Sequence, residues 1–383
     1  MPELAASTPS VATAWPPGWG TPLAAAICET CDWQYLAPHG QALPVCPACR
    51  RSSLTATASY PETPRQPELI TPFAVSDTDA AATLQRFARW RPFTPRDLRA
   101  TTLQKRLQKL YLPRWLVDGD VQAEWQAEAG FNYQVVSHQD RFDETKGDWQ
   151  SEQLTETRVR WEPRMGRLRR HYDNVTAPAI EEDGAVQKAI GDYDLQLAMS
   201  FDATALADAL VRLPNRSVED AWPDAQPRFQ ALAADECRVA SRADHMREFT
   251  WNPHFEQQQW TQLLLPVYTT FYQDDAGIEH PILVHGQTGQ VAGRRQASMR
   301  SARRLSIVLG LAAVAVFAVS MLLVILSALG SVQDTPSGGA LWATLGVFGV
   351  WSAMGLGILA MAPVVYVWVF NRTPSVPSWV DPA

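Results

Sequence analysis

Two short stretches, Cys28-Glu-Thr-Cys31 and Cys46-Pro-Ala-Cys49, lie near the start of the chain and are separated by residues 32–45. Each CxxC turn directs two thiolates at one metal ion, and two such turns complete a tetrahedral set of four sulfur ligands. The spacing therefore predicts a zinc ribbon over residues 23–52, with one structural Zn²⁺ bound by Cys28, Cys31, Cys46 and Cys49. An iron site of the rubredoxin type and a pair of disulfides are the less favoured alternatives.

A ribbon of this size is too small to bury a core of its own, so we expect metal binding to supply its folding energy. The fifth cysteine, Cys237, lies in a stretch with helical periodicity. We expect it to be a small, buried apolar residue rather than a ligand.

The C-terminal part of the chain contains two long runs without a charged residue, 305–329 and 340–370. At about 1.5 Å per residue, each run as a helix exceeds the roughly 30 Å thickness of a hydrocarbon core. We therefore predict two transmembrane helices that form a hairpin. A buried helix pair in a soluble protein is less favoured, because charge-free runs of this length are rare outside membranes.

The residues that flank these runs predict their orientation. Five arginines precede the first run and Arg372 follows the second, whereas Asp334 is the only charged residue of the connector; the five are Arg294, Arg295, Arg300, Arg303 and Arg304. By the positive-inside rule, both termini are cytoplasmic. The N-terminus has no basic stretch followed by an apolar core, so we expect no signal peptide. A reducing cytoplasm also favours a metal site over disulfides.

The second run carries small residues, Gly349, Ala353 and Gly357, at four-residue spacing. Such a stripe lets another helix approach closely. Packing against the first run is the favoured interpretation, and self-association into a homo-oligomer or contact with a partner's helix is the alternative. Neither run contains Asp, Glu, Lys, Arg or His, so a transporter is disfavoured.

Between the termini the sequence predicts an α+β protein. Residues 1–22 are rich in Pro, Ala, Ser and Thr and are expected to be a disordered tail, residues 53–75 a Pro-rich linker, and residues 371–383 a cytoplasmic tail. Residues 76–300 form the predicted cytoplasmic α+β domain with an antiparallel sheet. Its predicted helices cover residues 76–90, 94–110, 202–213 and 228–249. Its predicted strands cover residues 121–129, 158–162 and 168–175, with a turn at Met165-Gly166, and a hairpin of 260–273 and 278–285.

Basic residues are bunched although the net charge is −7. One cluster includes Arg96, Arg99, Lys105, Arg106 and Lys109, a second consists of the arginines of residues 158–170, and the third is the set of five before the first apolar run. Solvated faces balanced by acidic neighbours, contact with anionic lipid and contact with nucleic acid are the three interpretations. The predicted membrane anchor favours lipid over nucleic acid.

The sequence contains none of the common catalytic signatures. There is no GxxxxGK[ST] loop, HExxH, GxSxG or kinase motif set. His171-Tyr-Asp173 is more simply explained as part of a strand, and Gly286-Gln-Thr-Gly289 as a tight turn. These observations predict a protein that is not an enzyme.

In several of its motifs the chain resembles a family of bacterial membrane-anchored proteins with a TFIIB-type zinc ribbon. These proteins are sometimes labelled as similar to primosomal protein N′ or to superfamily II helicases. The resemblance covers residues 25–304 and rests on four features: the four cysteines, Tyr111-Leu-Pro-Arg-Trp-Leu-Val-Asp118, the stretch 264–268, and Val284-His-Gly-Gln-Thr-Gly289 followed by Gly293. Two positions depart from the family pattern: Arg50 replaces the usual Gly after the second knuckle, and Arg114 replaces an aromatic residue.

The resemblance implies a non-enzymatic component of the bacterial inner membrane that works beside phage-shock protein A-like or flotillin-like scaffolds. The main hypothesis is therefore a membrane-anchored zinc-ribbon adaptor in membrane organisation or envelope stress. One alternative is a membrane-tethered nucleic-acid-binding protein, in which Trp33 and Tyr35 stack on bases. A second alternative is an enzyme with an unrecognised site in the α+β domain.

Overall fold

The computed structural model describes residues 19–58, 64–89, 92–143, 148–330 and 336–372. These residues contain six α-helices: α1 Asp77–Phe87, α2 Ala100–Lys105, α3 Asp183–Ile190, α4 Val218–Ala240, α5 Met299–Gly330 and α6 Pro336–Arg372. They also contain eleven strands: β1 Leu23–Ile27, β2 Gln34–Pro38, β3 Thr55–Ala56, β4 Leu69–Ile70, β5 Gln108–Asp143, β6 Asp148–Pro178, β7 Met199–Ser200, β8 Ala209–Arg212, β9 His245–Gln273, β10 Glu279–His285 and β11 Val291–Gly293.

All eleven strands belong to one sheet, in which the order β11-β10-β9-β5-β8-β2-β1-β3 is extended by β6 beside β5, by β4 beside β9 and by β7 beside β4. The predicted α+β class is confirmed. Most neighbours are antiparallel, as predicted, but β4–β9 and β5–β8 are parallel pairs. The prediction of an antiparallel sheet was therefore wrong at these two places, where β4 and β8 pair with strands that are distant in the chain.

The predicted ribbon shares the sheet and the core of the larger body. Strand β2 pairs with β8 through Tyr35↔Arg212 and Leu36↔Val211. Cys28, Tyr35 and Cys46 belong to the same buried cluster as residues of β5 and β9. A ribbon too small for its own core thus obtains one by burying its inner face against the body.

Two segments predicted to be irregular are built into the fold. Trp19, within the predicted tail, is completely buried and donates from Nε1 to the Pro64 carbonyl at 3.3 Å; residues 1–18 lie outside the described part. Within the predicted linker, β3 pairs with β1, and β4 pairs with β9 and β7. Leu54 and Ile70 are buried, and the gain from burying them outweighs the preference of the nearby prolines for an open chain.

Three strands are unusually long and form an arm. We use "arm" for residues 119–143 of β5, 148–172 of β6 and 245–257 of β9, which pair in the order β6-β5-β9. With 36 residues, β5 extends over about 120 Å at roughly 3.3 Å per residue. Beyond the Gly130↔His245 pair, only β5 and β6 continue, as a two-stranded ribbon.

The turn predicted at Met165-Gly166 was wrong, because β6 is continuous there. Gly166 lies opposite Trp125, and a Cβ on this glycine would lie 3.1 Å from the indole Nε1. The glycine is needed for space beneath a large ring and not for a turn. The strand predicted over residues 121–129 is confirmed as part of β5.

The sheet is bent at one level where the arm begins. Gly119 of β5 lies at a register shift with β6 on one side and with β9 on the other. Each neighbour carries a residue in the left-handed conformation near this level, Asn174 with φ 56° and Gln257 with φ 51°. Two bulges on opposite sides of the same residue increase the local twist of all three strands together.

Helix α4 packs along the arm. Ser217 and Asp220 form a capping box at its start, and Ala221, Ala225 and Phe229 are completely buried against the arm. The helix predicted over residues 228–249 therefore exists, but it begins at Val218 and ends at Ala240. Cys237 is buried on this helix, as expected.

Other predicted elements near the body have mixed outcomes. The first predicted helix is confirmed as α1, with Ser76 as its N-cap. The helix predicted over 94–110 is limited to Ala100–Lys105 in the structure, because the chain joins the sheet as β5 from Gln108. The helix over 202–213 was wrong: this stretch forms a short 3₁₀ turn and then β8, which is fully buried between β5 and β2. The hairpin of β9 and β10 through Asp274–Gly277 is confirmed.

Helices α5 and α6 are both long and apolar enough to cross a membrane. They pack on each other through small residues. A Cβ on Gly349 would lie 2.0 Å from Ser320 Oγ, and Ala353 is buried, whereas Gly357 has no atom within 4 Å of such a position. Packing on the first helix, the favoured interpretation, thus accounts for the first two residues of the stripe. Most apolar side chains of both helices face outward.

The body is joined to the ends of these two helices by polar contacts. Asp275, in the β9–β10 turn, accepts hydrogen bonds from the Ser298 hydroxyl and the Arg300 amide, both at 2.8 Å. At the end of α6, the Asn371 side chain accepts from the Ala297 amide at 2.8 Å and donates to its carbonyl at 3.0 Å. These bonds fix the start of α5 to the end of α6 and to the body.

Candidate metal centre

The four predicted cysteine ligands converge. Their sulfur atoms all lie within 4.8 Å of one another, with 3.4 Å between the sulfurs of Cys28 and Cys49 and 3.8 Å between those of Cys31 and Cys46. A disulfide requires about 2.05 Å, so the four are free thiols. A tetrahedral ion with about 2.3 Å zinc–sulfur bonds places its ligands about 3.8 Å apart. The arrangement can therefore hold a metal ion such as zinc.

The two knuckles have matching backbones. The Asp32 amide donates to the Cys28 carbonyl at 2.8 Å, and the Arg50 amide donates to the Cys46 carbonyl at 3.0 Å. Asp32 and Arg50 both adopt the left-handed conformation, with φ of 56° and 59°. Arg50 thus takes a conformation that favours glycine, at some cost in strain, and every ligand keeps its place.

Hydroxyl groups surround the sulfurs. Ser52 Oγ lies 3.2 Å from Cys28 Sγ, and the buried Tyr35 hydroxyl lies 3.7 Å from Cys46 Sγ. The hydrogen bond from Cys31 outweighs burial and, with the Cys49 and Tyr35 donors, lowers the pKa of the Cys46 thiol to about 4. Donors of this kind stabilise and orient thiolate ligands.

Two buried arginines place positive charge beside the sulfurs. Arg50 is 6% exposed, and its Nε finds no hydrogen-bond partner among the residues that the structure describes. Arg212 lies over the Trp33 ring, 2.9 Å from its centroid, and donates to Glu182 at 3.0 Å. Four thiolates around a divalent ion carry a net charge of −2, so a buried cation with an unsatisfied donor fits such a centre.

Trp33 and Tyr35, which the nucleic-acid alternative requires for base stacking, do not form an accessible stacking surface. Tyr35 is completely buried inside the core, and the Arg212 guanidinium covers one face of Trp33. A stacking platform requires an accessible ring face. The structure thus overturns this role for Tyr35 and weakens the nucleic-acid alternative at the ribbon.

The predicted basic contact residues divide into two groups. Four of them use their charge inside the protein: Arg106 pairs with Asp97, Lys109 pairs with Asp77 and Asp208, Arg294 donates to the Asn371 carbonyl, and Arg295 lies over the Phe87 ring. The other six are exposed and form no ion pair with the part of the chain that is described: Arg96, Arg99, Lys105, Arg300, Arg303 and Arg304.

The arginine-rich strand of residues 158–170 is largely balanced within the chain. Arg158 pairs with Glu156, Arg167 with Glu124, and Arg170 with Glu236. The solvated-face interpretation therefore holds for this cluster, and such exposed pairs contribute only about 0–1 kcal/mol each to stability.

The motif around His285 is a structural joint. His285 is completely buried and stacks on Tyr193 at 3.9 Å; its Nε2 lies 3.2 Å from the Asp192 carbonyl, and its Nδ1 accepts from the Gln287 amide at 3.0 Å. Gly286 lies against Pro266, with which it also shares a backbone hydrogen bond of 3.0 Å. This turn is therefore explained by packing, as predicted, and not by phosphate binding.

Sequence reasoning missed a buried ion pair and a cavity. Arg114 Nη2 donates to Asp183 Oδ1 at 2.7 Å, with both side chains under 10% exposed. Lys109 lies at a cavity of about 490 Å³ that Asp77, Asp208 and Tyr268 also line. Its amine is already held by both carboxylates, which outweigh partial burial and raise its pKa.

Comparisons with known proteins give no relative. No protein-family model matches the chain, and neither a curated protein nor a solved structure matches it.

Proposed function

We propose that this protein is a non-enzymatic adaptor of the bacterial inner membrane, with its body in the cytoplasm and both termini on that side. The adaptor would hold partner proteins at a fixed distance from the bilayer. Support for the orientation comes from the five arginines that precede the first apolar run, at residue 305, and from Arg372 at the end of α6. Support for an adaptor comes from the way the body connects the helix pair to the arm.

The observation that carries this proposal is the course of β9. This strand begins at His245 in the arm and ends at Gln273, beside the turn whose Asp275 caps α5. It is hydrogen-bonded to β5 from Thr269 out to His245. A single paired strand therefore connects the start of the first apolar helix with the arm. This architecture is that of a stiff spacer and not of a protein built around a ligand-binding cleft.

The arm offers surface for a partner. The outer edge of β6 pairs with no strand in the described ranges, and Tyr133, Val136 and Leu154 are 40–50% exposed on its distal ribbon. Unpaired strand edges bind extended segments of other proteins through backbone hydrogen bonds. By resemblance, phage-shock protein A-like or flotillin-like scaffolds are the partners we propose.

The metal centre would then be structural. Four thiolates close the coordination shell of Zn²⁺, so no position remains for a substrate or an activated water. The ion would join the two knuckles and fix β2 against β8. Substituting Cys46 and Cys49 with Ser should abolish stoichiometric zinc, and full retention of zinc would rule out the four-sulfur site.

A shortened arm tests the adaptor directly. Residues 134–143 and 148–157 belong to the two-stranded ribbon beyond β9, and the Gln134↔Thr157 pair allows the stretch from 134 to 157 to be replaced by an Asn-Gly turn. Full-length and shortened proteins are mildly cross-linked in cells, solubilised in detergent and purified, and the proteins and nucleic acids that co-purify are identified.

Loss of co-purifying membrane proteins from the shortened protein, with zinc content unchanged, is the expected result. The same partner set in both samples would remove the arm as the docking surface. Enrichment of DNA, RNA or replication proteins without membrane scaffolds would replace the adaptor by the nucleic-acid-binding alternative.

A further inference from the structure

A small polar cavity lies where α5 leaves the body. It has a volume of about 210 Å³, and its walls come from the β9–β10 turn, the segment before α2 and the first two turns of α5. The lining residues are Arg96, Asp97, Gln273, Asp274, Asp275, Ser298, Arg300, Ser301 and Arg304. Ligand sites for larger molecules begin at about 300 Å³, so this cavity suits a small group.

The three carboxylates of the cavity are satisfied by the chain itself. Asp97 pairs with Arg106 at 2.5 Å and accepts from the Gln273 amide at 2.8 Å. Asp274 pairs with His280 at 3.0 Å. Asp275 accepts from Ser298 and from the backbone at the start of α5. Asp97 is therefore neutralised by Arg106, whereas the hydrogen bonds of Asp274 and Asp275 come from no arginine or lysine side chain.

The three arginines remain without an ion pair among the described residues. Arg300 and Arg304 are one helical turn apart on α5, and such residues lie on the same face. Arg96 comes from the separate segment between α1 and α2 and lines the same cavity. Arginines from two segments thus line one cavity. With Asp97 balanced by Arg106, the three arginines outnumber the remaining acids, Asp274 and Asp275, which leaves a small excess of positive charge.

We propose that Arg96, Arg300 and Arg304 bind a phosphate group at the start of α5. The planar guanidinium fork matches phosphate oxygens better than a lysine amine does. Arg304 directly precedes the apolar run that starts at residue 305, so a helix that crosses a bilayer would hold the cavity at headgroup level. The phosphate is that of an anionic lipid headgroup or a free phosphate ion, and this inference rests on the proposed membrane anchoring.

Binding would join two parts of the protein. The same phosphate would contact the segment before α2, which belongs to the body, and the first turns of α5. It would therefore add to the bonds of Asp275 and Asn371 that already fix the body at the ends of the helix pair.

The experiment uses full-length protein in neutral detergent. The test variant carries Arg96→Gln, Arg300→Gln and Arg304→Gln. The matched control carries Arg99→Gln, Lys105→Gln and Arg303→Gln, which removes the same charge from exposed positions outside the cavity. Native mass spectrometry counts the phosphatidylglycerol molecules retained per chain. A second measurement records the thermal shift of lipid-free protein on addition of inorganic phosphate.

We expect wild type and control to retain phosphatidylglycerol and the test variant to lose at least tenfold in affinity for it. A thermal shift with inorganic phosphate but no lipid retention, lost in the test variant alone, would assign the site to the free ion. Equal lipid retention and equal thermal shifts for the test and control variants overturn the proposal. Sedimentation of wild type with membranes separates this outcome from failure of the anchoring itself.

Discussion

The buried pair of Arg114 and Asp183 allows a quantitative test of the packing described above. Arg114 donates from Nε and Nη2 to one Asp183 oxygen, at 3.2 and 2.7 Å, and the two side chains are 4% and 7% exposed. Replacing Arg114 by Met leaves a carboxylate buried without its partner. Breaking a pair of this kind costs about 3–5 kcal/mol of unfolding free energy. The loss is therefore a large fraction of a typical domain's stability, about 5–15 kcal/mol.

The assay is guanidinium unfolding in detergent, followed by tryptophan fluorescence. The double variant Arg114→Met with Asp183→Leu removes both charges, and we expect it to recover most of the loss, because an apolar pair of similar volume is often as stable as the ion pair. The control is Arg167→Met, which breaks the pair with Glu124 at 86% and 73% exposure; we expect it to cost about 0–1 kcal/mol. Equal losses for Arg114→Met and Arg167→Met would refute the reasoning.

Three further predictions concern packing, pH and metal. Gly286→Ala should destabilise the protein by about 1–3 kcal/mol through overpacking, because its Cβ would lie 2.6 Å from Pro266. Gly184→Ala, in open space, should instead stabilise α3 by up to about 1 kcal/mol. The denaturant midpoints of the two variants compare these effects. Burial lowers the pKa of His285, so the unfolded state gains its proton first and stability should fall as pH drops below about 6.5; melting curves of His285→Gln should show a weaker dependence, and identical slopes would contradict this. Removing zinc with a chelator should speed amide exchange in Ala209–Arg212, because β8 pairs with the ribbon, and unchanged exchange would mean that the metal does not support this pairing.

The sequence was most informative where one residue type fixes the chemistry. The spacing of the four cysteines predicts their convergence, and the charge-free runs predict α5 and α6. The start of α1 was also predicted, since Ser76 is its N-cap. In each case a local signal is sufficient, because the ligand geometry, the solvent or the helix end acts on neighbouring residues.

Long-range pairing could not be predicted in this way. Nothing local in residues 209–212 shows that they become a strand between β5 and β2, and their four buried side chains fit a helix equally well in sequence. Gly166 was interpreted as a turn residue because its cross-strand partner, Trp125, is distant in the chain and the local sequence does not show the pairing. The basic residues were ambiguous for the same reason: the acids that neutralise Lys109 come from positions 77 and 208.

The paired bulges beside Gly119 also have a mechanical consequence. Tension applied at the distal end of β5 acts along the strand, so the many hydrogen bonds between β5 and β9 share the load in shear and are not opened one after another. The bulge at Gln257 interrupts the β5–β9 ladder, and the bulge at Asn174 interrupts the β5–β6 ladder at the same level. We expect the arm to yield there first in single-molecule pulling, before the turn that holds α5. An arm that yields at this level would limit the force that reaches α5 and α6 when its distal end is pulled.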